Sequence, residues 1–216
     1  NKDHEYNCLG GFDLAHGAGN LHLKLHDWGV DFAAWCGYKY LNGGPGAPSG
    51  VFIHERHLGK SDFPRFEGWW GHDKSTRFQM PDEFVPTASA EAWQLSNPPI
   101  FSMAPLLASQ ELFHEAGIEN LRKKSEKLTS YLENLLENEL EDEIEIITPK
   151  SIEDRGCQLS LRLKMAIPNI MDELHRQGIL ADWREPDVVR IAPVPLYNTF
   201  KDCYQFVQRM KKIVRG

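Results

Sequence analysis

The sequence predicts an α/β segment followed by a small α+β domain, and three observations lead to this prediction. Short apolar runs such as "CLGGFDLAH" and "SGVFIHERH" are separated by glycine-rich turns in the first part of the chain. A helical stretch over residues 101–139 follows the prolines of "SNPPI". The remaining residues follow the order strand, strand, helix, strand, helix. We therefore expect two domains, residues 1–98 and residues 99–216, with the boundary near Pro98 and Pro99.

The individual elements are predicted from hydrophobic patterns. "LHLKLHDWGVDFAAWC" reads as a helix or loop that leads into a strand. Residues 55–95 have few periodic apolar positions and many aromatic ones, which indicates a long, partly ordered excursion. In the helical stretch, one apolar face is marked by Leu121, Leu128, Leu132, Leu135 and Leu136. The last domain contains the strands "IEIITP", "CQLSLRLKM" and "DVVRIAPV" and the helices "NIMDELHRQG" and "TFKDCYQFVQRMKKIV".

The composition indicates a soluble globular protein and disfavours several classes of function. Of the 216 residues, 41% are hydrophobic and 25% are charged, and the net charge of −7 argues against nucleic acid or a membrane as the main partner. No apolar run approaches the ~18 residues of a membrane-spanning helix. The four cysteines form no CxxC pair, which indicates neither a zinc site nor a disulfide framework and fits a cytoplasmic location. The polar start without an initiator methionine leads us to expect a piece of a longer chain.

A lysine and an acid each follow an apolar run at a predicted strand end. Lys39 lies between Tyr38 and Tyr40, just before a glycine-rich loop, and Asp13 ends the run "GGFD" shortly before His16. In α/β folds, ligands bind and functional residues lie at the carboxyl ends of the strands. An amine and a carboxylate are the groups that pyridoxal phosphate requires, one for its aldehyde and one for its ring nitrogen. The alternative is that Lys39 is a surface charge, Asp13 caps a turn and His16 is a loop residue.

Arg190 is a candidate for binding a carboxylate. It follows Val188 and Val189 in a strand that the pattern predicts to be buried. A planar guanidinium held by a rigid element suits bidentate capture of a carboxylate. A structural salt bridge with a neighbour such as Asp187 explains the same residue equally well.

The histidine pairs do not form a metal motif. His22 and His26 are spaced i, i+4, and His54 and His57 flank "ER", but neither pair has the HExxH pattern. Alignment of His22 and His26 along one side of a helix explains their spacing. We therefore predict no metal site.

Beyond these groups, a series of unusual strings resembles one family, kynureninase. The strings are "FDLAHGAGN", "DWGVDFAAWCGYKYLN", "GWWGH", "STRFQM", "SNPPI", "RGCQLSL" and "RIAPVPLYN", and the resemblance runs nearly end to end in the same order. Cysteine desulfurases, a related family, also have a cofactor lysine near a glycine-rich loop. The pattern of that family is a His-Lys pair with a separate nucleophilic cysteine. This chain instead has the pair Tyr38–Lys39.

The resemblance implies an α/β fold of the fold type I class, which is the aminotransferase-like fold of pyridoxal-phosphate-dependent transferases. Residues 1–98 would be the carboxyl-terminal part of the large, cofactor-binding domain, and residues 99–216 a connecting helix and the small α+β domain. The resemblance implies Lys39 as the Schiff-base lysine and Asp13 as the partner of the pyridine nitrogen. His16 and Tyr38 would lie close to the cofactor, with Tyr38 near the phosphate and acting as a proton donor or acceptor.

The resemblance also implies a homodimer. Trp69 would approach the phosphate from the neighbouring subunit, and Asn97 would help to form the pocket across the interface. By its pattern alone, the pair Trp69 and Trp70 fits a core or an interface equally well. Arg190 would hold the α-carboxylate of the substrate.

The implied activity is that of a hydrolase acting on C–C bonds in ketonic substances. Water would cleave kynurenine or 3-hydroxykynurenine into anthranilate or 3-hydroxyanthranilate and L-alanine, a step of tryptophan catabolism and NAD biosynthesis. Whole members of the family are longer than this chain, so we expect that these 216 residues alone do not retain pyridoxal phosphate tightly. The alternatives are a non-catalytic fragment or partner subunit of such an enzyme, or another fold type I enzyme such as a cysteine desulfurase.

Overall fold

A three-stranded sheet organises the first part of the chain in the computed structural model, which describes residues 2–60 and 63–216 without the side chains of residues 2 and 3. Helix α1 (Lys2–Glu5) precedes strands β1 (Gly11–Asp13), β2 (Phe32–Trp35) and β3 (Gly50–Ile53). Strands β1 and β2 are parallel, and β3 runs antiparallel to β2. The carboxyl ends of β1 and β2 therefore lie at the same edge of the sheet.

After β3, the described residues up to Leu95 form several short helical turns. These 3₁₀ helices cover Glu55–His57, Trp69–Gly71, Arg77–Gln79 and Ala90–Trp93. This agrees with the predicted, partly ordered excursion. Buried polar side chains help to order it: Nε2 of His72 lies 2.9 Å from Oγ1 of Thr76, and the Val85 N–H donates to Nδ1 of His72 at 3.3 Å.

The helical stretch predicted over residues 101–139 is divided into two helices, α2 (Ile100–Ala116) and α3 (Ile118–Leu140). The helical stretch is therefore present, and Gly117 interrupts it because its φ of +76° is a left-handed value that glycine adopts readily and that ends an α-helix. The predicted apolar face of α3 is confirmed. Its buried members are Leu121, Leu128, Leu132 and Leu136, and Leu135 is partly buried.

A four-stranded antiparallel sheet forms the second part of the chain. Its elements are β4 (Ile144–Ile146), a 3₁₀ turn (Ile152–Asp154), β5 (Leu159–Leu163), α4 (Ile170–Arg176), β6 (Asp182–Arg184), β7 (Val188–Ile191) and α5 (Phe200–Arg215). The strand order is β4-β5-β7-β6. Inward-facing Leu161 and Val189 share one core with Leu128 of α3 and Val207 of α5. The predicted strands and helices of this part are present, and β6 is an additional strand that the sequence analysis missed.

The chain forms two compact units, residues 1–115 and residues 116–216. The division falls at the end of α2, just before its last residue Ala116, whereas the sequence pattern predicted a domain boundary near Pro98 and Pro99. Helix α2 is anchored to the first unit, because Oγ of Ser109 donates to the Leu41 carbonyl oxygen at 2.6 Å. The proposed functional division at residue 98 stays a prediction. No helix within the described residues is long and apolar enough to cross a membrane.

Asp31 is a buried polar centre of the first unit, and its side chain is only 2% exposed. Its Oδ2 accepts hydrogen bonds from the Gly10 N–H and from Nε2 of His4, both at 2.7 Å. Its Oδ1 accepts a hydrogen bond from Nε2 of His57 at 2.7 Å and forms an ion pair with Arg56, whose Nε lies 2.9 Å away. The carboxylate thus joins the segment before β1, the start of β2 and the turn after β3.

The ionisation of Asp31 predicts a pH dependence of folding stability. Burial alone would raise the pKa of this carboxyl, but hydrogen bonds from His4 and His57 outweigh it and hold the pKa well below its ordinary value of 3.8. A carboxyl with a depressed pKa stabilises the fold above its unfolded pKa, and the stabilisation is lost as pH falls. We expect the free energy of unfolding of the wild type to fall steeply below about pH 4, and that of Asp31→Asn to fall less.

At neutral pH, the difference in the free energy of unfolding between the wild type and Asp31→Asn measures what the hydrogen bonds of Asp31 contribute. Asp31→Asn should lower the free energy of unfolding by about 1–3 kcal/mol, because buried donors lose their charged acceptor. Asp27→Asn is the matched control, since the Asp27 side chain is 73% exposed. Denaturant titrations at several pH values check both expectations. Identical pH profiles for wild type and Asp31→Asn would contradict the assignment.

Candidate active site

Asp13 and Lys39 follow neighbouring parallel strands. Asp13 is the last residue of β1 and pairs with Ala34 of β2, and the Leu14 N–H donates to the Ala34 carbonyl oxygen at 2.8 Å. Strand β2 ends at Trp35, and Lys39 lies in the turn that follows. Because the two strands run in the same direction, the end of β1 at Asp13 and the turn with Lys39 after β2 lie at one edge of the sheet.

His16 lies beside the lysine. Its Nε2 is 3.2 Å from Nζ of Lys39, and its ring meets the Tyr40 ring edge-on with centroids 5.8 Å apart. An ammonium group can only donate, so this contact requires Nε2 of His16 as the acceptor and the ring proton on Nδ1. The turn after β1 creates this contact, of which the sequence offers no direct sign.

One oxygen of Asp13 is used to shape that turn. Oδ1 accepts the backbone N–H of Ala15 at 2.8 Å, the contact typical of an Asx turn. Among the described residues, no hydrogen-bond partner of Oδ2 is seen, and the side chain is exposed. The turn-capping interpretation is therefore correct for one oxygen and leaves the other available to a ligand.

Tyr38 precedes the lysine and is 52% exposed. Nζ of Lys39 lies 6.0 Å from the centroid of the Tyr38 ring. A hydrogen bond with the Cys36 thiol raises the pKa of the Tyr38 phenol above its ordinary value. The phenol is therefore protonated at neutral pH and can serve as a proton donor.

Two glycines permit the close packing of the loops around Lys39. A Cβ atom at Gly37 would lie 2.2 Å from the Pro48 carbonyl oxygen, and one at Gly19 would lie 2.6 Å from the Tyr40 carbonyl oxygen. Gly19 also has φ +79°, which disfavours any side chain. The loop that carries His16 therefore packs directly against the backbone next to Lys39.

Trp69 and Asn97 lie on two other segments of the first unit, which pack against each other. A Cβ atom at Gly68 would lie 2.3 Å from Cα of Leu95, so the backbones are in contact there. Both Trp69 and Asn97 are exposed. Within residues 2–60 and 63–216, no hydrogen bond, ion pair or ring contact joins either side chain to Lys39.

Arg77 fixes the turn that carries Trp69, and the sequence analysis did not single it out. The buried Arg77 guanidinium lies 4.5 Å from the centroid of the Trp70 ring and donates to the carbonyl oxygens of Trp70 and His72. The Trp69 ring itself meets Phe78 edge-on at 5.4 Å. An arginine shortly after an aromatic pair was the available signal, since Arg stacks on Trp faces.

Arg190 belongs to the second unit, on strand β7. Its Nε donates to Oδ2 of Asp182 at 2.8 Å, and Nη2 donates to the same oxygen. The expected neighbour Asp187 is instead near Arg162, with Oδ2 3.9 Å from Nε. An ion pair is thus present, but its partner is the cross-strand Asp182 and not the nearby Asp187.

The histidine pairs make ordinary polar and ring contacts. Nε2 of His26 lies 3.2 Å from Oε1 of Glu55, and this hydrogen bond raises the pKa of His26. The rings of His26 and His54 stack with centroids 4.7 Å apart, and His57 binds Asp31. Over the part of the chain that the structure describes, no group of three or more His, Cys, Asp or Glu side chains could hold a metal ion.

Solved structures with a similar backbone arrangement show the fold. The cysteine desulfurase CsdA from Escherichia coli superimposes with a TM-score of 0.76 at 17% identity, over 99% of this chain and 53% of that one. The cysteine desulfurase from Thermococcus onnurineus NA1 gives 0.75 at 20% identity, over 99% and 54%. The fold is therefore that of fold type I pyridoxal-phosphate enzymes, as predicted.

Sequence similarity is more specific. Residues 121–210 match the family model described as the kynureninase C-terminal domain. Kynureninases from Koribacter versatilis and Myxococcus xanthus are each 57% identical, over 95% and 96% of this chain and 49% of each relative. The kynureninase from Flavobacterium psychrophilum is 52% identical over 97% of this chain and 50% of its own length. The chain is thus similar to the carboxyl-terminal part of kynureninase and spans about half the length of these curated relatives.

Proposed function

We propose that this chain forms the carboxyl-terminal part of a kynureninase. Such an enzyme hydrolyses kynurenine or 3-hydroxykynurenine to anthranilate or 3-hydroxyanthranilate and L-alanine. The observation that carries the proposal is the 3.2 Å contact of Lys39 with His16 beside the strand that ends at Asp13. This contact occurs in a chain whose relatives at 52–57% identity are kynureninases.

The donor set at the sheet edge supports pyridoxal phosphate as the cofactor. An amine, an imidazole, a phenol and a carboxylate with one available oxygen belong to the segments that follow β1 and β2. When bound, the cofactor supplies an aldehyde that bonds to an amine and a protonated ring that withdraws electrons. We propose that it is held by Lys39, Asp13, His16, Tyr38, Trp69 and Asn97.

The proposed roles of the chain's residues combine the family resemblance with the contacts that support it. Lys39 provides the amine that bonds to the cofactor, and His16 orients that amine through Nε2. Asp13 keeps a proton on the ring nitrogen through the oxygen that the Ala15 N–H leaves available. The phenol of Tyr38 acts as a proton donor or acceptor beside Lys39, whose Nζ lies 6.0 Å from the Tyr38 ring centroid. The groups that would hold or transfer protons thus lie at the end of β1 and in the turn that follows β2.

A homodimer in the cytoplasm is part of the proposal. Trp69 would reach the phosphate of the neighbouring subunit, and Asn97 would line the pocket at the interface. The exposure of both side chains and the rigid turn built by Arg77 support this arrangement. The free thiols of Cys8 and Cys36 support a reducing compartment.

Product analysis tests the proposed reaction. A holoenzyme that contains this chain should release an anthranilate and L-alanine from kynurenine in equal amounts. Release of sulfur from cysteine with no cleavage of kynurenine would contradict the proposal and favour a cysteine desulfurase. Both substrates should therefore be offered to the same preparation.

Arg190→Lys tests the proposed contact with the α-carboxylate. We expect KM to rise about 10- to 100-fold, the equivalent of roughly 1.5–3 kcal/mol, because lysine cannot offer two parallel donors. Cofactor content should change little. Steady-state kinetics checks this expectation, and an unchanged KM would return Arg190 to a purely structural ion pair.

A further inference from the structure

One edge of the Arg190 guanidinium is already bound by a carboxylate of the chain itself. Nε and Nη2 both donate to Oδ2 of Asp182, a side-on contact. Nη1 has no partner among the residues that the structure describes. The end-on edge of the fork, formed by Nη1 and the second proton of Nη2, can therefore receive another carboxylate.

Strand register sets this contact. Asp182 of β6 pairs directly with Arg190 of β7, so both side chains emerge on the same face of the sheet. Arg190 also pairs with Ser160 of β5, which makes β7 an interior strand. Both ends of the ion pair are thus held by regular backbone, and the Arg190 side chain is only 22% exposed.

Asp182 by itself does not neutralise the two guanidinium groups that it contacts. Its Oδ1 accepts from Nη1 of Arg184 at 3.0 Å, so one carboxylate lies between two guanidinium groups. Two positive charges and one negative charge leave the group of Arg184, Asp182 and Arg190 with a net positive charge. Such a group still attracts an anion, and it does so with one guanidinium fixed in orientation.

We propose that Asp182 is a positioning residue for Arg190, which it holds side-on so that the end-on edge is preset for the α-carboxylate of the amino acid substrate. The inference rests on the proposed function, because it assumes that Arg190 binds that carboxylate. If the plane of the Arg190 guanidinium is fixed before the ligand binds, less side-chain entropy is lost on binding. The opposing model is that Asp182 competes with the ligand for the same guanidinium.

Replacement of Asp182 separates the two models by the sign of the change in KM. For Asp182→Ala and Asp182→Asn we expect KM to rise about 3- to 10-fold with kcat nearly unchanged, a modest effect because Asp182 is 46% exposed. Asp182→Glu should restore part of the loss. A fall in KM would overturn the proposal in favour of competition, and an unchanged KM would overturn it outright. Asp187→Asn is the matched control, since Asp187 is similarly exposed and pairs with Arg162.

A double-mutant cycle shows that the effect acts through Arg190. Adding Asp182→Ala to Arg190→Lys should change KM less than it does in the wild type. The dissociation constant of L-alanine, measured by calorimetry on the holoenzyme, should change in parallel with KM, while thermal unfolding of the variants reports on the fold. If Arg190→Lys raises KM and Asp182→Ala does not, this inference fails and the proposed function stands. If Arg190→Lys leaves KM unchanged, the proposed carboxylate contact fails first.

Discussion

Replacing Lys39 with alanine is expected to reduce turnover of kynurenine by at least about 10³-fold in a holoenzyme that contains this chain. Nζ of Lys39 is the amine in contact with Nε2 of His16, in the turn that follows β2. Alanine removes the amine that, in the proposed function, bonds to the cofactor. Steady-state rates of anthranilate release provide the measurement.

Lys60→Ala is the control for this loss. Lys60 is an exposed residue of the same unit, so its replacement should leave the rate close to that of the wild type. Circular dichroism of both variants verifies that they fold. If the Lys39 variant were as active as the Lys60 variant, the assignment of the cofactor lysine would be wrong.

Asp13→Asn is expected to reduce kcat by about 10²- to 10⁴-fold with a smaller change in KM. In the proposed function the charge of this carboxylate keeps a proton on the cofactor's ring nitrogen, and the amide lacks that charge. An amide oxygen can still accept the Ala15 N–H that Asp13 now accepts at 2.8 Å, so the turn should survive the replacement. The loss should therefore appear in catalysis and not in folding stability.

Two further variants define what Asp13 contributes. Asp13→Glu should recover part of kcat because it restores the charge, whereas the exposed Asp27→Asn should have no effect. Kinetics and thermal unfolding are measured on the same samples. A full kcat for Asp13→Asn would mean that the residue only caps the turn after β1.

The sequence was sufficient to predict the elements that carry the site. Asp13 and Lys39 each follow a short apolar run, and runs of this kind become strands whose ends hold the polar groups. The contact between His16 and Lys39 could not be predicted in the same way, because it depends on glycines that let two turns approach. The sequence shows that glycines are present, but it does not show which two turns they allow to pack together.

Two other features escaped prediction for related reasons. Strand β6 has three residues, Asp182–Arg184, too few for an alternating pattern to be recognised, and its pairing with β7 decides the partner of Arg190. Proximity in sequence pointed to Asp187, but strand register selected Asp182. Asp31 looked like an ordinary residue at the start of a strand, because its partners His4 and His57 are distant in the chain.

Mapping the covalent attachment site of the cofactor tests the central claim most directly. The holoenzyme is treated with a hydride reductant, which makes the link between the cofactor and its lysine permanent, and is then digested for peptide mass analysis. We predict a pyridoxyl group on the peptide that contains "CGYKYLNGG", at Lys39. A pyridoxyl group on Lys24 or Lys60 would contradict the account of the site.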